Sequence, residues 1–176
     1  LERTEIIRDM KLDVFDVDTN LDLGMAAIQW AIENRKTQQG FTALDETVKT
    51  FLCNYYGLDE VSETDRERIC KDICNFMYER GLKTKGKDEA AFTDDVRHKL
   101  CREWVEVRKG RLGITEGEKP IEEMFLTLPT ELLDMFHEIS DRRNSMNHFG
   151  YSNRNKFSCT KLEKDLKEYF EQFKNI

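Results

Sequence analysis

The chain has 176 residues, of which 39% are apolar and 36% charged, and its 35 acidic and 28 basic side chains give a net charge of −7. A chain of this length can bury a core without a metal or a disulfide, and its composition excludes a collagen, a low-complexity disordered segment and a disulfide-rich scaffold. No apolar run has the length of a membrane span, and the first residues lack the apolar stretch of a signal peptide. We therefore expect a cytoplasmic protein that makes no membrane contact.

Apolar residues recur with helical spacing along nearly the whole chain, and only residues 1–17 show a loose strand-like alternation. We interpret residues 1–17 as a linker or docking arm and residues 18–176 as one helical domain. The predicted helical segments are 18–35, 40–56, the segment between Ser62 and Gly81, 89–109, 121–148 and 159–174. Together they predict an all-α fold, a single bundle of five to seven helices.

Local signals support several of these boundaries. Gly57 stands where a C-terminal cap belongs, and Ser62 and Asp65 have the spacing of a capping box. Pro129 disfavours helical backbone at the residue before it, which interrupts the fifth helical region. The first segment is apolar nearly all round, so we expect it to lie centrally in the fold. The Gly-rich stretch 110–120 is predicted to be a loop.

The five cysteines are odd in number, and they do not form the spaced pairs of a metal site. Cys70 and Cys74 lie four residues apart, but none of the three histidines has a ligand-like spacing to them. We therefore predict buried free thiols in a reducing compartment, and we expect neither a bound metal nor a cofactor.

Charge is distributed unevenly along the chain. Residues 142–176 contain eight basic and four acidic side chains, whereas residues 1–141 contain 20 and 31, and no acid occurs in residues 142–161. A local basic patch on an acidic protein indicates a confined anion site or, equally, a solvated face that balances acids elsewhere. Within this basic patch, the basic residues that precede the last predicted helix are Arg142, Arg143, Arg154 and Lys156.

Four polar residues inside this patch form a constellation suited to RNA chemistry. On a helix Arg143 lies over Asn147, and Asn144 lies over His148, because residues four apart share a face. A histidine can exchange a proton with a ribose oxygen near neutral pH, and an arginine can hold a phosphorane with its forked donors. An asparagine can orient the imidazole. This combination predicts transesterification of RNA without a metal ion.

The sequence RNSMNH at 143–148 resembles the R-x4-6-H motif of HEPN ribonucleases. The sequences AAIQWAIEN at 26–34, QQ at 38–39 and TALDE at 42–46 resemble the opening helical pair of one HEPN branch, the CRISPR-associated CARF–HEPN proteins of type III systems. The specific resemblance covers residues 20–57 and 132–150. Between these ranges the helical pattern agrees with the family without being specific to it.

The resemblance implies a homodimer in which the motifs of two protomers form one composite site, and metal-independent cleavage of single-stranded RNA by the 2′-hydroxyl. It assigns Arg143 and His148 as the catalytic pair and Asn144 as the accessory polar residue. Arg142 also precedes His148 at an allowed spacing, so the assignment of the catalytic arginine stays open. Arg142 and three further residues are expected to bind RNA. Those three are Asn147, Arg154 and Lys156.

The family's sensor domain, an α/β module that binds cyclic oligoadenylate, has no counterpart in this sequence, so it is expected as a missing N-terminal domain. Two alternatives remain open. The first is a HEPN toxin of a toxin–antitoxin pair, which shares the chemistry but answers to a protein antidote. The second is a catalytically idle helical dimerisation module, in which the motif is a structural network of Arg and Asn side chains.

Overall fold

The computed structural model describes residues 17–83, 92–114, 117–147 and 157–176. Within these ranges the chain forms seven helices and no strand, which confirms the predicted all-α fold. The helices are α1 (Asn20–Glu33), α2 (Thr37–Tyr56), α3 (Thr64–Leu82), α4 (Asp94–Leu112), α5 (Lys119–Thr127), α6 (Thr130–Asn147) and α7 (Cys159–Lys174). The predicted arm at 1–17 lies outside the described residues except for Val17.

Local signals in the sequence set several helix boundaries as expected. The break before Pro129 is confirmed, since α5 ends at Thr127 and α6 begins at Thr130. Gly57 has a φ of +69°, the left-handed conformation of a helix C-terminal cap. The Ser62 side chain accepts a hydrogen bond from the backbone N–H of Asp65 at 3.3 Å, as the capping pattern predicts.

Several predicted boundaries are wrong. Helix α4 begins at Asp94 instead of residue 89, because Thr93 before it has extended backbone. The stretch 110–120 is not a loop throughout. Helix α4 continues to Leu112, and Gly113, with a φ of +68°, forms its left-handed cap. Helix α5 already begins within the stretch, because a proline is well accommodated in the first turn of a helix.

Helix α3 is wound as a π-helix at both ends. It consists of the π-helical stretch Thr64–Cys70, the α-helical stretch Lys71–Met77 and the π-helical stretch Tyr78–Leu82. The sequence predicts an end at Gly81, but Gly81 lies within the last stretch, against the Phe92 ring. A Cβ at Gly81 would fall 2.2 Å from a ring carbon, so the close approach of this ring requires a glycine.

The chain divides into two compact units. Unit 1 comprises residues 1–47 and 142–176, and unit 2 comprises residues 48–141. Helices α2 and α6 contribute residues to both. Each unit is described below by its own contacts.

In unit 1, glycines allow close approach of the helices. A Cβ at Gly24 of α1 would lie 2.2 Å from Thr47 Oγ1 of α2, and a Cβ at Gly40 of α2 would lie 2.4 Å from Leu166 of α7. The apolar face of α7 is buried as its periodicity predicts. The prediction of a central α1 is wrong, because only Ile28 and Ala31 of that helix are buried and Leu23 is 41% exposed.

In unit 2, polar contacts hold α3, α4 and α5 beside an aromatic core. The indole N–H of buried Trp104 donates to Asp72 at 2.8 Å, and Arg108 binds both oxygens of that carboxylate at 2.8 and 3.1 Å. Buried Arg97 of α4 donates to three backbone carbonyls, those of Phe92, Phe125 and Leu128, at 2.9 to 3.2 Å. The second and third carbonyls lie at the C-terminal end of α5, where helical partners are lacking.

One ion pair in unit 2 predicts a loss of stability in acid. Burial raises the pKa of Glu67, but hydrogen bonds from Lys49 at 2.5 Å and Lys71 at 2.8 Å outweigh it and lower that pKa from 4.5 to about 2. The stabilising contribution of Glu67 is therefore present above pH 4.5 and lost as the pH falls towards 2. We expect Glu67→Gln to cost about 1–2 kcal/mol at pH 7, discounted because the Glu67 side chain is 39% exposed.

Urea unfolding of both proteins between pH 7 and pH 2 measures this effect. The wild-type protein should lose stability more steeply than Glu67→Gln between pH 4.5 and 2. Glu79→Gln is the control, since Glu79 lies on the same helix as Glu67 and forms an exposed ion pair with Lys83. Parallel pH profiles for wild type and Glu67→Gln would contradict the assignment.

Candidate functional site

Four of the predicted site residues lie in the last two turns of α6, in unit 1. Pro129 precedes the helix, and Asn147 is the last residue of its described range. Arg142, Arg143, Asn144 and Asn147 are therefore helical, as the i,i+4 argument requires. Three other predicted site residues lie outside the described residues. They are His148, Arg154 and Lys156.

Arg143 is held by a carboxylate that the sequence analysis did not assign. Its Nη1 donates to Asp45 Oδ2 of α2 at 2.8 Å, and the side chain of Asp45 is fully buried. The Arg143 side chain remains 25% exposed, and its Nε is buried without an acceptor among the described residues. One donor of the guanidinium is thus engaged by protein, while at least one further N–H remains to be satisfied.

Arg142, the other candidate for the catalytic arginine, is enclosed. Its Nε donates to Asp165 Oδ2 of α7 at 3.0 Å, and the two side chains are only 9% and 11% exposed. Its guanidinium carbon lies 4.0 Å from the centroid of the Phe157 ring, a cation–π contact that covers one face of the group. Between the two arginines, the geometry leaves Arg143 more accessible to a ligand. The predicted contact of Arg142 with RNA stays a prediction.

The two asparagines of the motif differ in their contacts. Asn147 Oδ1 accepts a hydrogen bond from Gln38 Nε2 of α2 at 3.0 Å. Asn144 lies exposed on α6, one residue after Arg143. The hydrogen bonds of Asp45 and Gln38 with α6 join the two stretches that carry the family resemblance, residues 20–57 and 132–150. These bonds are tertiary contacts within unit 1, since Asp45 and Arg143 are 98 positions apart along the chain.

Sequence reasoning missed Asp45, Gln38 and Asp165 as partners of the motif. Asp45 and Gln38 stand inside the sequences quoted for the resemblance, but nothing in a single sequence pairs them with a helix about 100 residues later. Their spacing of seven positions does indicate that they share one face of α2, two turns apart, although it does not identify the helix that this face contacts.

The structure offers no group of three or more His, Cys, Asp and Glu side chains that could hold a metal, within the ranges it describes. Three cysteines, Cys53, Cys70 and Cys74, are buried free thiols, as predicted. The hydrogen bond with Cys70 and burial both raise the pKa of Cys53. A thiol with a raised pKa is a poor nucleophile, so this cluster belongs to the core. The prediction of burial is wrong for Cys159, which is exposed, and for half-buried Cys101.

None of the described helices is both long and apolar enough to cross a membrane. No protein-family model, no curated protein and no solved structure matches the chain.

Proposed function

We propose that this chain is a metal-independent endoribonuclease that cleaves single-stranded RNA. The observation that carries the proposal is the state of Arg143, which is fixed through one nitrogen by buried Asp45 and keeps a further N–H without a protein acceptor among the described residues. Arginine in this state suits a phosphate, because its planar fork binds two oxygens at once. The resemblance of residues 143–148 to the R-x4-6-H motif supplies the rest of the assignment.

In the proposed reaction, the 2′-hydroxyl oxygen of a ribose attacks the adjacent phosphorus, and its proton passes to the His148 imidazole. The bond from phosphorus to the 5′-oxygen of the next nucleotide breaks, and that oxygen takes up a proton from the imidazole of a second protomer. The products are a 2′,3′-cyclic phosphate and a 5′-hydroxyl. Arg143 stabilises the negative charge that builds up on the phosphorane, and Asn144 is the accessory polar residue.

The proposal extends to a symmetric homodimer. One imidazole does not easily serve as base and acid in a single step, whereas a two-fold contact near His148 brings a second imidazole to the site. The biological setting we propose is an effector domain of a CRISPR-associated defence protein, in the cytoplasm, with a cyclic-oligoadenylate sensor domain upstream of this chain.

A second candidate function rests on the same geometry. Both arginines of the motif contact buried carboxylates, Asp165 for Arg142 and Asp45 for Arg143, as a purely structural polar network would. The idle helical dimerisation module therefore stays a candidate, and a cleavage assay separates it from the nuclease.

The deciding experiment offers the purified chain a labelled single-stranded RNA in excess chelator. We expect cleavage that is unchanged by the chelator, with product ends that carry a 2′,3′-cyclic phosphate. RNA with a 2′-O-methyl group at the scissile position, and DNA of the same sequence, should resist, because the nucleophile is blocked or missing. Cleavage of the methylated RNA would contradict the proposed chemistry. Absence of any cleavage by a folded protein would favour the idle module.

A further inference from the structure

We infer that Asp45 is a positioning residue for the reaction, acting through Arg143. This inference rests on the proposed function. Its first support is the burial of the carboxylate, because Asp45 is fully buried on α2 while its Oδ2 accepts from Arg143 Nη1 at 2.8 Å. A buried ion pair is a weak source of stability compared with apolar side chains of similar volume. Its clearer physical consequence is to hold the arginine in one orientation.

The second support for this role of Asp45 is that it contacts only one edge of the Arg143 guanidinium. Asp45 engages Nη1, whereas Nε and Nη2 form another edge, the one that can bind an oxyanion with two parallel hydrogen bonds. Nε is buried and lacks an acceptor among the described residues. A buried donor without a partner is unfavourable, and a phosphate oxygen that reaches Nε relieves that penalty.

A second contact between the same helices supports this role for α2. Gln38 Nε2 donates to Asn147 Oδ1 at 3.0 Å. Gln38 lies two helical turns before Asp45, and Asn147 lies one turn after Arg143, so each pair shares a helix face. Helix α2 thus holds the last turn of α6 at two points, directly before the chain continues to His148.

The neighbouring pair on α6 provides a matched comparison. Arg142 and Asp165 form an ion pair at 3.0 Å that is buried on both sides and covered by Phe157. Two consecutive arginines thus meet two buried carboxylates, one in an enclosed pair and the other in a pair that leaves the arginine partly exposed. The inference predicts that catalysis depends on Asp45 and not on Asp165.

The test compares Asp45→Asn with Asp165→Asn, each measured for kcat, for KM with single-stranded RNA, and for stability. The asparagine keeps the shape and removes the charge. A misplaced catalytic group costs up to about a hundredfold in rate, so we expect kcat of Asp45→Asn to fall about ten- to a hundredfold while KM changes less than about threefold. Asp165→Asn should lose stability but keep kcat within about twofold.

A double variant shows whether Asp45 acts through Arg143. Asp45→Asn/Arg143→Gln should have the same kcat as Arg143→Gln alone, because the group that Asp45 positions is gone. The double variant removes both charges of this ion pair, so it provides a second test if Asp45→Asn alone does not fold. Losses that multiply in the double variant would overturn the inference.

The outcomes separate the inference from the proposed function. If Arg143→Gln is inactive and folded Asp45→Asn retains wild-type kcat, the inference is overturned and the nuclease stands. If Arg143→Gln cleaves RNA as the wild type does, the catalytic role of Arg143 is overturned and the inference with it. If the folded wild-type protein cleaves no RNA, the proposed function itself is overturned.

Discussion

Replacing His148 with alanine is expected to lower the rate of RNA cleavage at least about a hundredfold, since general acid–base catalysis contributes about 10²–10⁴-fold. The helices should remain folded, because the hydrogen bonds described for the end of α6 come from Arg142, Arg143 and Asn147. His98→Ala on α4 is the matched control, a histidine replaced in the other compact unit. Circular dichroism and a cleavage time course on all three proteins measure the effect. Activity of His148→Ala within about tenfold of the wild type would remove the site assignment.

Substitutions of the two arginines decide which of them serves the reaction. Arg143→Lys keeps the charge but loses the planar fork, so we expect kcat to fall at least about tenfold. Arg142→Lys should instead act mainly on stability, since Arg142 is enclosed by Asp165 and Phe157. A larger loss of kcat in Arg142→Lys than in Arg143→Lys would assign the catalytic role to Arg142.

The largest expected effect on stability belongs to Arg97. Its guanidinium donates to the carbonyls of Phe92, Phe125 and Leu128, and it lies 4.7 Å from the centroid of the Phe92 ring. Arg97→Met fills similar space but leaves these buried carbonyls without their donor, and each such group costs about 1–3 kcal/mol. We expect a loss of about 3–5 kcal/mol in the free energy of unfolding.

Urea unfolding measures this loss, with the midpoint shifted and the slope unchanged. Lys99→Met is the control, since Lys99 is exposed on the same helix and its nearest carboxylate oxygen, on Glu103, is 3.7 Å away. Its cost should stay below about 0.5 kcal/mol. An Arg97→Met protein within about 1 kcal/mol of the wild type would show that other donors or water serve these carbonyls.

The sequence alone predicted the helices where local signals act. The range of α7, the break at Pro129 and the cap at Gly57 follow from periodicity, from a ring that restricts its neighbour and from a residue that tolerates positive φ. The π-helical ends of α3 were not predicted, because the periodicity that marks a helix does not distinguish four-residue from five-residue hydrogen bonding over a few turns. The start of α4 was misjudged because Thr93 is extended.

For the candidate site, the sequence by itself determined that Arg142, Arg143, Asn144 and Asn147 share the end of one helix. Only the tertiary structure decided that Arg143 contacts Asp45 and that Arg142 is enclosed by Asp165. The physical reason is the range of the forces involved. Helix formation depends on residues three or four positions apart, whereas these ion pairs depend on which helices pack together, and no local pattern encodes that choice.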